Sequence, residues 1–267
     1  MLDEVLKGAI LDAAGEASIS EALTKAHALG FGGALIPAEL PHFSLDRMTG
    51  DELDGIAAHA TSLGIGLSLR GPISASLRSG PPELRAAVLT YYGRLLNAAE
   101  RAGAVSLHVH LGPPLDRALG VQGALPEAVD AAMRHDLGKD LLRLAGLTAG
   151  RCNLCILSDD LDPGAIEVLA PLVRDDLVHL GWSASAVRLR DPAVEQLFDA
   201  FAYRVRAIHL GAVGPESTHA VPKGGVQPFR GLVERFGPMD VREWSLGPAA
   251  ASESLAYLRA LSAQSGP

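Results

Sequence analysis

The chain has 267 residues, 48% of them hydrophobic, enough for two ordinary domains or one large barrel-type domain with a substantial core. A formal charge of −8, from 31 acidic against 23 basic residues with no Lys/Arg cluster, excludes a phosphate-rich polymer such as nucleic acid as the expected partner. No apolar run reaches about 18 residues, and the opening MLDEVLKGAILDAAGE is too acidic and broken for a secretory signal, so a cytoplasmic protein without membrane contact is expected.

From the N-terminus onward, short apolar segments alternate with longer amphipathic ones. The strand candidates are Leu6 to Leu11, Gly33 to Pro37, Gly66 to Arg70, Val105 to Leu111, Asn153 to Ser158, Leu177 to Trp182, Val205 to Leu210 and Val241 to Leu246. Between them lie helical patterns such as ISEALTKAHALG, GDELDGIAAHATSLG, PELRAAVLTYYGRLLNAAERAG and DPGAIEVLAPLVRD, several with a Ser, Asp or Pro start and a Gly stop. Strands separated by helices must run parallel, and eight such units predict a single (β/α)8 TIM barrel over residues 1–267. An open doubly wound sheet is the rival, but LDAAGEAS after the first strand lacks the G-x-G-x-x-G turn of a dinucleotide site. Cys152 and Cys155 would project to opposite faces of the fifth strand, which suits buried thiols rather than a disulfide or a shared metal.

Active sites in such barrels form at the C-terminal strand ends. On the fourth strand, SLHVHLG places His108 and His110 on one face, with Val109 on the other. His110 is therefore expected at the mouth. His108, about 7 Å deeper, is expected in the core.

The order of these segments resembles the xylose isomerase-like barrels, the family of sugar phosphate isomerases and epimerases that also contains endonuclease IV. ALTKAHALGFGGALI is similar to that family's helix and "Gly-aromatic-x-Gly-Val-Glu" second strand, LGIGLSLRGP to its "Leu-x-His-x-Pro" third strand, and AERAGAVSLHVHLG to its fourth. YRVRAIHLGAVG followed by THAVPKGGVQPFRGLVERF resembles its strand-seven "His-x-x-Asp" and the "His-x-Pro-x-Gly-x-Gly" loop. The resemblance implies a divalent metal held by Glu on strand five, Asp-x-x-His on strand six, His on strand seven and Glu on strand eight. The corresponding positions here read Ser158, Trp182 with Ser185, His209, and Ser245. Leu35 or Ile36 stands where strand two would carry Glu, Arg70 replaces the strand-three His, and Ala212 replaces the strand-seven Asp. Serines and two neutral imidazoles hold a hard cation poorly, so no metal and no other cofactor is expected.

The candidate catalytic residues are His110, His209 and Glu243. His209 ends VRAIHL at the mouth level of His110, its alternative being a core histidine bonded to a backbone carbonyl. Glu243 shares a face with Ser245 and, if unpaired inside the barrel, would titrate high and suit an acid or base; a helix-facing salt bridge is its alternative. Candidate substrate-binding residues are Arg70, Ser158, Trp182, Ser185, Ser245 and Lys223. Arg70 reads as a clamp for an anionic group or as an ion pair with Glu243 or Asp159. Trp182 reads as a plug in the volume of the lost metal, or as a stacking wall. Asp159 and Asp160 read as helix capping before LDPGAIEV, or as a displaced metal site. Lys223, with His219, lies in a glycine-flanked loop that suits covering a substrate anion, while His27, His59 and His135 fall within helical patterns and read as scaffold. Three functions remain open: a metal-independent isomerase, epimerase or lyase on a small polar carbonyl compound, a catalytically degenerate binding or scaffold barrel, and a repurposed enzyme with a less polar substrate. The HxH pair of metal-dependent amidohydrolases belongs on the first strand, and LKGAIL has none. The expected partner is a small molecule, anionic if Arg70 clamps it, and the sequence implies no particular oligomer.

Overall fold

The computed structural model describes residues 6–78, 80–113, 125–184, 192–210, 218–221, 225–236, 243–247 and 251–264. Ten strands are found among them: β1 (Ala9–Asp12), β2 (Gly33–Pro37), β3 (Gly66–Arg70), β4 (Ala104–Val109), β5 (Asn153–Leu157), β6 (His179–Ser183), β7 (Val205–Leu210), β8 (Thr218–Val221), β9 (Gly225–Pro228) and β10 (Glu243–Leu246). Eight close into a barrel in the order β1-β10-β7-β6-β5-β4-β3-β2, every neighbouring pair parallel. The remaining two, β8 and β9, form an antiparallel hairpin between β7 and β10 where the sequence suggests only a loop. Helices α1 (Ile19–Leu29), α2 (Gly50–Leu63), α3 (Pro82–Arg101), α4 (Glu127–Thr148), α5 (Pro163–Arg174), α6 (Pro192–Ala200), α7 (Phe229–Phe236) and α8 (Ala251–Gln264) follow the barrel strands in turn. The fold is the expected (β/α)8 barrel.

Local chemistry fixes the helix ends. Ser18 accepts from Glu21 N to start α1, and Thr49 and Glu52 form a reciprocal capping box on α2. Gly64 ends α2 at φ 66°, a left-handed backbone that a side chain would strain. Asp162 caps α5, accepting from Ala165 N, so the capping role expected of Asp159 and Asp160 falls to the next acid along. Asp159 and Asp160 instead lie in a 3-10 turn (Ser158–Asp160) closing β5.

Paired residues of parallel strands share a face, so the register sorts the barrel into two sides. Ile10, Leu35, Ser68, Arg70, Ser106, His108, Cys155, Gly181, Ser183, Ala207, His209, Glu243 and Ser245 belong to one continuous inner set. The alternate residues, including Leu11, Ile36, Leu69, Val109, Ile156, Trp182, Ile208 and Trp244, join the buried apolar layer between strands and helices. The inner side is crowded at Gly181, where an added Cβ would lie 2.6 Å from Leu157 Cδ2.

Three strand boundaries depart from expectation with consequences for the site. β1 begins at Ala9 rather than Leu6 and runs on to Asp12, which brings that carboxylate to the inner set. β4 stops at Val109, leaving His110 just past the strand end. β6 runs to Ser183 rather than Trp182. Because side chains alternate, that one-residue difference exchanges faces: Trp182 pairs with Ile208 and packs on Phe236 of α7 at 5.9 Å between ring centroids, while Ser183 pairs with His209. Trp182 therefore neither plugs nor walls the barrel interior.

Candidate active site

The inner face of β4 carries Ser106 and His108, and that of β10 carries Glu243 and Ser245. Across the interior, His108 Nε2 lies 2.9 Å from Glu243 Oε2, and Ser106 Oγ donates to the same oxygen at 3.0 Å. Ser106 Oγ is also 3.0 Å from His108 Nε2, and Ser68 hydrogen-bonds the carboxylate from β3. The other ring nitrogen of His108, Nδ1, is 2.9 Å from His209 Nε2 on β7, with the two rings edge to face at 65°. A carboxylate and two imidazoles thus form one continuous hydrogen-bonded chain. His108 within it is fully buried, and His209 is partly exposed.

The electrostatics follow from this arrangement. Burial alone would raise the Glu243 carboxyl, but its electrostatic interaction with the adjoining His108 ring and hydrogen bonds from His108, Ser106 and Ser68 hold it below its ordinary value. Glu243 is paired and inward, which corrects both the expectation of a high-titrating acid and its helix-facing alternative. Burial, with the neighbouring His108, Arg70 and His110, pushes His209 well below the ordinary histidine value. His209 is therefore uncharged at neutral pH, and its partner is His108 rather than a backbone carbonyl.

His110 is 8% exposed, with Nδ1 3.8 Å from Asp159 Oδ2, too long for a hydrogen bond. Burial lowers its pKa against the opposing pull of Asp159 and Asp160. Arg70 donates to Asp12 Oδ2 at 2.8 Å and to Glu39 Oε1 at 3.4 Å, so its ion pair is made with these and not with Glu243 or Asp159. Its guanidinium is thereby largely committed. Arg70 Nε and Glu39 Oε2 are buried without a hydrogen-bond partner, one a donor and the other an acceptor. Ser158 is buried and its Oγ accepts from Ser183 N at 3.0 Å, which pins the end of β5 to β6. Ser245 is buried on the inner face opposite His209. Ser185 and Lys223, like Ala212, lie outside the described residues.

Sequence reasoning missed His108, Ser106, Ser68, Ser183 and Glu39. The signal for His108 was available: Glu243 lies one inward position deeper than Ser245, and a buried carboxylate demands a donor at its own depth.

These donors do not fit the divalent cation that the resemblance implies. Ser158 and Ser245 supply no anionic ligand and Trp182 faces the helices, which leaves His209 as the one donor of the implied set among the described residues. Among the described residues no group of three His, Cys, Asp or Glu side chains is disposed to hold a metal. Cys155 is a buried free thiol, pushed up by burial, and the partly buried Cys152 is raised to about 11 for the same reason. Among the described residues no helix is long and apolar enough to cross a membrane.

No protein-family model matches the chain, and no curated protein matches its sequence. Solved structures do match in fold. A 3-keto-D-glucoside 4-epimerase from E. coli is 16% identical, with 95% of this chain and 99% of that one covered at a TM-score of 0.70. D-psicose 3-epimerase from Clostridium cellulolyticum is 13% identical, covering 97% and 92% at a TM-score of 0.68. Endonuclease IV from Thermus thermophilus is 19% identical, covering 96% and 99% at 0.66. The fold is that of the xylose isomerase-like barrels, as the sequence resemblance implies.

Proposed function

We propose that this barrel catalyses proton transfer at a carbon beside a carbonyl group, as an isomerase or epimerase of a small polar compound, without a divalent cation. The observation that carries this reading is His209: an imidazole kept uncharged by its surroundings, on the inner face of β7, bonded through Nε2 to a second imidazole. An uncharged imidazole keeps a nitrogen lone pair with which to accept a proton at neutral pH, the state a general base needs. His110, also held below its ordinary value, is the group to hydrogen-bond the substrate oxygen while negative charge develops there, as neutral imidazoles can. The sugar epimerases among the fold neighbours support this reaction class.

The ligand chemistry is polar and uncharged in this reading. Asp12 and Glu39 occupy the Arg70 guanidinium, which argues against a clamp for an anionic group. The reading with a less polar substrate loses its wall, because Trp182 packs on Phe236 outside the barrel.

The test is deuterium wash-in from D2O, followed by NMR, over a panel of uncharged ketoses and aldoses, their phosphates, and keto acids. Exchange at one carbon of an uncharged sugar is expected, with a loss on the order of 10²-fold or more in His209→Ala. Thermal stabilisation by a sugar with no exchange would overturn catalysis in favour of the binding barrel. Exchange confined to phosphates would overturn the uncharged ligand.

A further inference from the structure

We infer that the reacting atom is His209 Nδ1, and that His108 and Glu243 lie behind it as a proton relay that moves the positive charge away from the substrate. This rests on the proton-transfer reading above and assigns its atoms. The carboxylate sets the protons of both rings. Glu243 Oε2 takes hydrogen bonds from Ser106 Oγ and His108, so His108 Nε2 must carry a proton. One further proton lies between His108 Nδ1 and His209 Nε2, which are 2.9 Å apart. In the resting state with both rings neutral, that proton belongs to His209 Nε2. His209 Nδ1 is then the one ring nitrogen of the pair left as a free acceptor.

In the step itself, the substrate C–H bond breaks and its proton bonds to His209 Nδ1, while the electron pair stays on the substrate as an enediolate. His209 Nε2 gives its proton to His108 Nδ1, so His209 is neutral again and His108 becomes an imidazolium. That cation forms next to the Glu243 carboxylate at 2.9 Å, inside a site where His108 is fully buried. Low dielectric strengthens the attraction between the two charges. His209 Nδ1 then returns the proton, on the face it was taken from, to the neighbouring carbon of the enediolate while the hydroxyl proton passes between the two oxygens, and the relay ends where it began. His108 is fully buried, and Glu243 bonds its Nε2, the ring nitrogen opposite the one that meets His209, so both are positioning residues.

The test is ¹⁵N NMR of the histidine side chains in the full-length protein, combined with wash-in by Glu243→Gln and Glu243→Asp. In the unmodified protein at neutral pH, His209 is expected as the Nε2–H tautomer with an unprotonated Nδ1, and acid is expected to protonate His108 on both nitrogens before His209. Glu243→Gln keeps a hydrogen-bond acceptor but no charge, and is expected to slow wash-in by about 10²- to 10⁴-fold, with partial rescue in Glu243→Asp. A proton on His209 Nδ1 at rest, the cation settling on His209, or unchanged wash-in by Glu243→Gln would each overturn the relay. The tautomer measurement decides the matter on the unmodified protein even if the variants do not fold. Absence of wash-in in the unmodified protein, with the expected tautomers present, would defeat the proton-transfer reading and not the assignment of protons.

Discussion

Along the barrel strands, the residues facing the helices and those facing the axis differ in kind. Leu11, Ile36, Leu69, Val109, Ile156, Trp182, Ile208 and Trp244 form one apolar layer, whereas Ser68, Arg70, Ser106, His108, Ser183, His209, Glu243 and Ser245 stand on the other side of the same backbones. The outer layer draws its stability from burial and close packing. On the inner side, the polar groups of the central chain are matched to one another: Glu243 to His108, Ser106 and Ser68, and His108 to His209. A substitution therefore has a different readout on each side, stability outside and protonation chemistry inside.

The largest effect expected is outside. Trp182→Ala empties a fully buried site against Phe236 and should cost about 3–5 kcal/mol in denaturant unfolding, while ligand affinity per folded molecule stays unchanged. Lost affinity with full stability would reverse the assignment of faces. Next comes pH, which should register the inner side. His209, His110 and His179 have folded values below their ordinary 6.5, and Glu243 lies below 4.5, so each binds protons more weakly when folded. The stabilisation is complete above about pH 6.5 and is lost progressively as pH falls through the folded values, Glu243 adding to the loss below 4.5. Urea unfolding at stepped pH should show this limb, and His209→Asn should flatten its upper part; an unchanged limb would place the titration elsewhere. Ser158→Ala removes the hydroxyl that accepts from Ser183 N, and should cost about 1–2 kcal/mol by thermal unfolding. Smallest is Thr49→Ala, which removes one half of the α2 capping box, at about 1 kcal/mol.

The barrel itself was legible because alternation of strand and helix patterns is a property of the whole chain. β2, β3 and β7 agree with their sequence bounds to the residue, each bracketed by glycine, proline or a charged residue. The site was less legible. At β6 the apolar run LVHLGW does not reveal that the strand continues to Ser183, and one residue of slip turned Trp182 from the helix layer into the interior. His108 was assigned by depth alone. Its role emerges only when Glu243, 135 positions later in the chain, arrives across the axis at the same depth. The hairpin β8–β9 carries a turn signal, PKGG, but its strands are only four residues each and give little alternation.

The central claim is that imidazoles and a buried carboxylate take the place of a bound cation. It is tested most directly by measuring deuterium wash-in with protein stripped of metal by prolonged chelation, then again after excess Mn²⁺ or Mg²⁺ is added. Equal rates before and after are predicted. A rate that disappears on stripping and returns with the added ion would contradict the claim.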